Sequence, residues 1–180
     1  PYRAPIYDRF WAVADEAGTP ITLHILTGRL LAPLALVDTQ TPEERGENPR
    51  GMLELFGEIQ GVLANDFIFG GILDRFPHLK VVCSEFELSW IPHFMWNLDR
   101  LQDPDGFGPR MHLRPLKMKA SDYMRTRVWH GFINDTAASY TIPYVGASQV
   151  LWGSDFPHFR SIGLEAQSAL HELVGTLPQE

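Results

Sequence analysis

Apolar residues along this 180-residue chain switch repeatedly between helical and strand spacing, and no other feature restricts the fold as strongly. Ile6, Tyr7, Phe10, Trp11, Val13, Ala14 and Ala17 make a helical stripe, and Gly18 suits the C′ position that ends it. Thr19-Pro20 turns the chain into Ile21–Ile25, which is short, apolar and partly β-branched and so predicts a buried strand. Thr27–Arg50 is rich in turn residues, with a one-turn capping box at Thr41-Pro42-Glu43-Glu44. A loop of that length is usually functional or mobile. Helical spacing returns from Met52 to Ala64, breaks at Asn65-Asp66 and resumes from Ile68 to Phe76, before Pro77. Leu79–Cys83 predicts a second strand. Ser89–Leu101 predicts a helix that tolerates Pro92 in its first turn. After a Gly- and Pro-containing loop, Gln102–Ala120, Ser121 is placed to cap a short helix through Arg125. Val128–Ile133 predicts a third strand, Thr136–Val145 a helix despite Pro143, and Gln149–Trp152 a fourth strand. The last helix is Ile162–Val174, stopped by Gly175.

Helices and strands in alternation imply a parallel sheet with right-handed crossovers. A closed barrel of eight βα units takes about 250 residues. Four units with two long loops therefore read as about half of one, so the expected fold class is α/β, a partial TIM (β/α)8 barrel. The chain opens Pro1-Tyr2-Arg3 without an initiator methionine and reads as a piece of a longer one.

Composition narrows the partners. A hydrophobic content of 44% with 21% charged residues describes an ordinary globular protein. The net charge of −7 argues against nucleic acid and anionic membranes as partners. No run approaches the roughly 18 apolar residues of a membrane span, and no secretory signal is visible. Cys83 is the only cysteine, which excludes an internal disulfide and points to a reducing, cytoplasmic compartment.

His24, Glu85, Asn134-Asp135 and Asp155 fall at or just past the C-terminal ends of the four expected strands. In parallel α/β folds these ends share one face, and chemistry is placed there. An aspartate after a strand also caps turns, so Asp155 alone decides little. Paired with His24 it suggests a divalent-metal site, because imidazole and carboxylate suit Zn²⁺, Mn²⁺ or Fe²⁺. His24 and Asp155 would be ligands, and Glu85 a third ligand or a base. His158, after Phe156-Pro157, is a candidate for the same face, as substrate contact or as a loop residue bonded to backbone. His130 reads as a core residue and Cys83 as an inert buried thiol. Trp90 and Trp152 read as core aromatics and Arg100 as a helix C-terminal charge. His78, His93, His112 and His171 carry no expected role. Gly153-Ser154-Asp155 lacks the second glycine of a nucleophile elbow, and Gly70-Gly71 is no phosphate loop.

Four blocks occur in order: Pro20-Ile21-Thr22-Leu23-His24-Ile25, Phe76-Pro77-His78-Leu79-Lys80-Val81-Val82, Trp90-Ile91-Pro92 with Leu98-Asp99-Arg100, and Trp152-Gly153-Ser154-Asp155-Phe156-Pro157-His158. Together they resemble the amidohydrolase-related family, in the branch of aminocarboxymuconate-semialdehyde decarboxylase and related aromatic-acid decarboxylases. The resemblance implies a metal-dependent (β/α)8 barrel in which His24 is the strand-five metal ligand. Asp155 is then the strand-eight aspartate that binds metal and handles the proton. Residues 1–180 would be the C-terminal part of that domain, strands five to eight, without the paired ligands of strand one. Zinc is the first expectation for the metal, manganese the second, and a homodimer is expected of the full-length protein. One position departs from the pattern: Glu85 stands where the best-characterised decarboxylases carry a histidine. The resemblance implies a decarboxylase (carboxy-lyase) or hydrolase acting on a small organic acid or cyclic substrate. The alternative is a non-catalytic half-barrel.

Overall fold

The computed structural model describes residues 1–25, 41, 57–106, 108–158 and 161–177. Four short strands lie side by side: β1 (Ile21–His24), β2 (Val81–Ser84), β3 (Val128–Phe132) and β4 (Val150–Trp152). They pair in the order β1-β2-β3-β4, every pair parallel. Among the described residues six α-helices accompany them: α1 (Asp8–Ala17), α2 (Ile72–Arg75), α3 (Ile91–Gln102), α4 (Ala120–Thr126), α5 (Ala138–Val145) and α6 (Ala166–Thr176). Among the described residues no helix is long and apolar enough to cross a membrane.

Register gives the sheet two unlike faces. Leu23 pairs with Cys83, Cys83 with His130, and His130 with Val150. Side chains alternate along a strand, so Val81, Cys83, Val128, His130 and Phe132 turn one way and are buried. They pack with Leu63, Phe67, Ile72, Ile91, Met95, Leu98 and Met124 in one core. Thr22, His24, Val82, Ser84, Trp129, Gly131 and Leu151 turn the other way, and that face is open: none of the seven is buried. In a closed barrel it would be the interior. His24 and Ser84 are paired across β1 and β2, Gly131 and Leu151 across β3 and β4.

Several boundaries follow the sequence pattern. Gly18 ends α1 with φ 64°, and its N–H reaches Asp15 O while Thr19 N–H reaches Ala14 O. This is the two-bond Schellman arrangement, and it needs the left-handed residue that glycine supplies. Pro92 sits in the first turn of α3, where no N–H is missed.

Others depart from it. The second strand starts at Val81 instead of Leu79, because the Leu79 N–H turns back to Phe76 O. The Arg127 guanidinium donates to the carbonyls of Phe76 and Leu79, so a side chain replaces the ladder there. Asn65-Asp66 does not break the helix. The turn widens into a π-helix, Leu63–Ile68, and buried Asp66 accepts the Arg3 guanidinium at 3.0 Å. Ser121 does not cap α4. That helix begins at Ala120, and its first N–H groups are met by α3: Ala120 N donates to Gln102 Oε1 and Ser121 N to Asp99 Oδ1. Gly175 lies inside α6, which stops at Thr176; Leu177, the residue before Pro178, is extended. The expected one-turn helix after Thr41 and residues 52–56 of the expected third helix lie outside the described residues.

Candidate active site

β1 delivers His24 to the end of the open face. Its Nδ1 lies 2.6 Å from Ile25 O, and its Nε2 lies 2.8 Å from Glu85 Oε1. A carbonyl only accepts, so Nδ1 carries a hydrogen. An ionised carboxylate also only accepts. The contact with the Glu85 carboxylate therefore favours a second proton on the ring, at Nε2. The His24 value is raised above 6.5, first by the bond to Ile25 and further by Glu85 and the charge of Asp155, against a lowering by burial.

Two carboxylates here stand on strained backbone. Glu85 has φ 66° and Asp155 φ 56°, both left-handed. For a residue with a Cβ this costs about 1–2 kcal/mol, and such strain gathers at functional sites. At Asp155 the strain is held in place locally. Its carbonyl accepts His158 N–H at 2.8 Å, Gly153 N–H is tied to Phe132 O, and Ile162 N–H to Ser154 O. Asp155 Oδ2 is shut off from solvent, 2.9 Å from His158 Nδ1 but without an aligned hydrogen bond. Glu85 and Asp155 line one cavity of about 240 Å³, with Ser84, Gly131, Trp152 and Gly153.

A family model described as amidohydrolase matches residues 1–180. The chain belongs to the amidohydrolase family. None of the curated proteins matches it. Among solved structures, an amidohydrolase from Mycobacterium avium subsp. paratuberculosis K-10 aligns with 97% of this chain and 41% of its own, at 20% identity and TM-score 0.69. The 5-carboxyvanillate decarboxylase LigW from Sphingomonas paucimobilis aligns with 99% of this chain and 49% of its own, at 20% identity and TM-score 0.66. A dihydroxybenzoic acid decarboxylase from Polaromonas sp. JS666, solved with bound manganese and the inhibitor 2-nitroresorcinol, covers 94% and 48%, at 19% identity and TM-score 0.61. The amidohydrolase chain thus spans about half the length of these structures, and its four-stranded parallel sheet matches part of their fold.

Within this amidohydrolase chain the strand-end candidates separate. His24 and Glu85 touch, Asp155 shares the cavity with Glu85, and His158 contacts Asp155. Asp135 is structural: its carboxylate accepts Leu88 N, Ser89 N and Ala137 N. His130 is a core residue, 1% exposed, with Nε2 bonded to Met124 O; burial pushes it down to about 4. Burial pushes the Cys83 thiol up, and Arg100 lies in the last turn of α3 over the Trp96 ring. Sequence reasoning missed Glu87, also left-handed, whose Oε2 accepts Ile133 N and Asn134 N and links the loops after β2 and β3. It also missed Gly131, although a glycine inside a strand was a usable signal.

The donors suit a divalent ion in kind: one imidazole nitrogen, two carboxylates, and a desolvated Asp155 oxygen without an aligned donor. Among the described residues, however, no three of His, Cys, Asp and Glu gather closely enough to hold an ion.

Proposed function

We propose that His24, Glu85 and Asp155 form one side of the active site of a divalent-metal-dependent enzyme that removes carbon dioxide from a small aromatic or related organic acid. The His24–Glu85 contact carries the reading. Decarboxylation exchanges a C–CO₂⁻ bond for a C–H bond, so the site must hold a proton and release it to carbon. This pair holds one beside the cavity. Ile25 fixes Nδ1–H, so His24 has only Nε2 to offer a ligand. Once Nε2 is given over, Glu85 is left as keeper of the shared proton. Asp155 supplies a second ligand oxygen and exchanges protons, and His158 orients Asp155 and meets the substrate carboxylate. A bound metal would supply Lewis-acid attraction for the substrate's carboxylate and neighbouring oxygen.

Family membership and the manganese seen in the Polaromonas decarboxylase support a metal. The donor set suits zinc or manganese alike. The assignment of β1–β4 to strands five to eight, a homodimer of the whole protein and a cytoplasmic setting belong to the same proposal. Hydrolysis of an ester, lactone or amide is the second reading, favoured by Glu85, a carboxylate able to act as base. The absence of a three-ligand group among the described residues favours a third, non-catalytic one.

The deciding experiment supplies the protein with Mn²⁺ or Zn²⁺ and a hydroxylated benzoic acid, and follows carbon dioxide release against acid release. Carbon dioxide release that disappears in Asp155→Ala supports decarboxylation. Acid release from an ester or lactone moves the reading to hydrolysis. Full activity in Asp155→Ala overturns both.

A further inference from the structure

Gly131 lies in β3 between two buried residues, His130 and Phe132, and faces the open side. A Cβ built on it would stand 3.1 Å from Cys83 O, 3.3 Å from Ser84 Cα and 3.7 Å from Glu85 N. All three are backbone atoms at the end of β2, where nothing flexible can step aside. That backbone is already committed on its other edge: His24 is in register with Ser84, and Ile25 N–H donates to Ser84 O. Just beyond, the chain turns left-handed at Glu85. Gly153, on the same cavity wall, gives the contrast, because a Cβ there meets nothing within 4 Å. A side chain at 131 therefore presses on backbone that must give by a few tenths of an ångström, whereas one at 153 meets open space.

We infer that Gly131 is a positioning residue for Glu85: its bare Cα lets the end of β2 close against β3 and turn the Glu85 carboxylate onto His24. A methyl group at 131 pushes on Cys83 and Ser84, and the displacement is passed to Glu85, the next residue, whose backbone is strained. The catalytic meaning of this rests on the proposed role of Glu85; the geometry does not.

NMR on the metal-free chain tests it. In the wild type, Gly131 Hα should show a cross-peak to Glu85 H–N, and Glu85 the strong intraresidue H–N to Hα cross-peak of positive φ. Gly131→Ala should lose the second while Asp155, equally left-handed, keeps its own. Gly153→Ala should leave Glu85 unchanged. An unaltered Glu85 in Gly131→Ala, or equal effects from the two glycine variants, overturns the inference. If Gly131→Ala does not fold, the wild-type Gly131–Glu85 cross-peak decides, its absence being fatal. In active protein, Gly131→Ala should lower kcat by roughly tenfold to a hundredfold with KM little changed. It should cost nothing further in a Glu85→Gln background. A substrate or activity failure would sink the proposed function while the NMR result stands.

Discussion

His24 Nε2 and Glu85 Oε1, 61 residues apart in sequence, meet at 2.8 Å. The contact exists because β1 and β2 are paired in parallel, His24 opposite Ser84, and because the backbone turns left-handed at the next residue. It sets a ring nitrogen that favours its protonated form against a carboxylate.

Glu85→Gln should therefore move the His24 titration midpoint part of the way back toward 6.5. It should not move it all the way, because the Ile25 carbonyl, the largest cause of the raised value, remains. The sign for stability follows: a raised folded value contributes stability that is complete below about 6.5 and is lost as pH rises through the folded midpoint. His24 is 42% exposed, so solvent screens the effect. Imidazole NMR titration of both proteins checks the shift, and an unchanged midpoint would mean that the carboxylate does not act on the ring.

His130 should behave in the opposite way. Its folded value is pushed down to about 4 by burial, against 6.5 as an ordinary histidine. Between those values the unfolded chain takes the proton and the folded one does not, so stability falls as pH drops through that window, by roughly 3 kcal/mol at most. Urea unfolding at pH 7, 5.5 and 4.5 should show that loss, and His130→Gln should flatten it.

The left-handed backbone at Asp155 separates stability from function. Asp155→Gly should be more stable than Asp155→Ala by about 1 kcal/mol, since only glycine is at ease at φ 56°. Both should be inactive if Asp155 has its proposed role. Thermal melts of the two variants, side by side, give the comparison.

Asp135→Ala should destabilise the fold by about 2 kcal/mol, because three backbone N–H groups, those of Leu88, Ser89 and Ala137, lose their acceptor. Denaturant unfolding reads this directly. A loss within 0.5 kcal/mol would mean that water replaces the carboxylate without cost.

Buried Asp74 offers a further check on the core. Tyr123 donates its hydroxyl to Asp74 Oδ1, and the phenol is pushed up to about 12, first by burial and then by that carboxylate. Tyr123→Phe leaves Oδ1 without this donor and should cost about 1–3 kcal/mol in unfolding free energy.

Much of this was legible from residues alone. The 3.6 and 2.0 periods located all four strands to within two residues, and Gly18 and Pro92 marked helix ends for reasons internal to their own segments. His24 and Asp155 stood out as polar residues where apolar runs stop. The errors share a cause. Ser121 looked like a cap, but Gln102 and Asp99 reach across from α3 to do that work. Leu79 looked like strand, but Arg127 takes its carbonyl. Asp135 looked like Asp155, yet one accepts three backbone N–H groups while the other lines a cavity and has one oxygen shut off from solvent.

Local sequence thus determined which segments are helix or strand, which face of each is apolar, and which polar residues end the strands. Those properties depend on spacing and on each residue's own backbone preferences. Tertiary structure decided the rest: that His24 meets Glu85, that Asp155 shares a cavity with Glu85, and that a methyl group on Gly131 would press on the backbone of β2. These depend on strand register, and register is set by how the whole buried face packs, since a slip of one residue would turn every side chain to the other side.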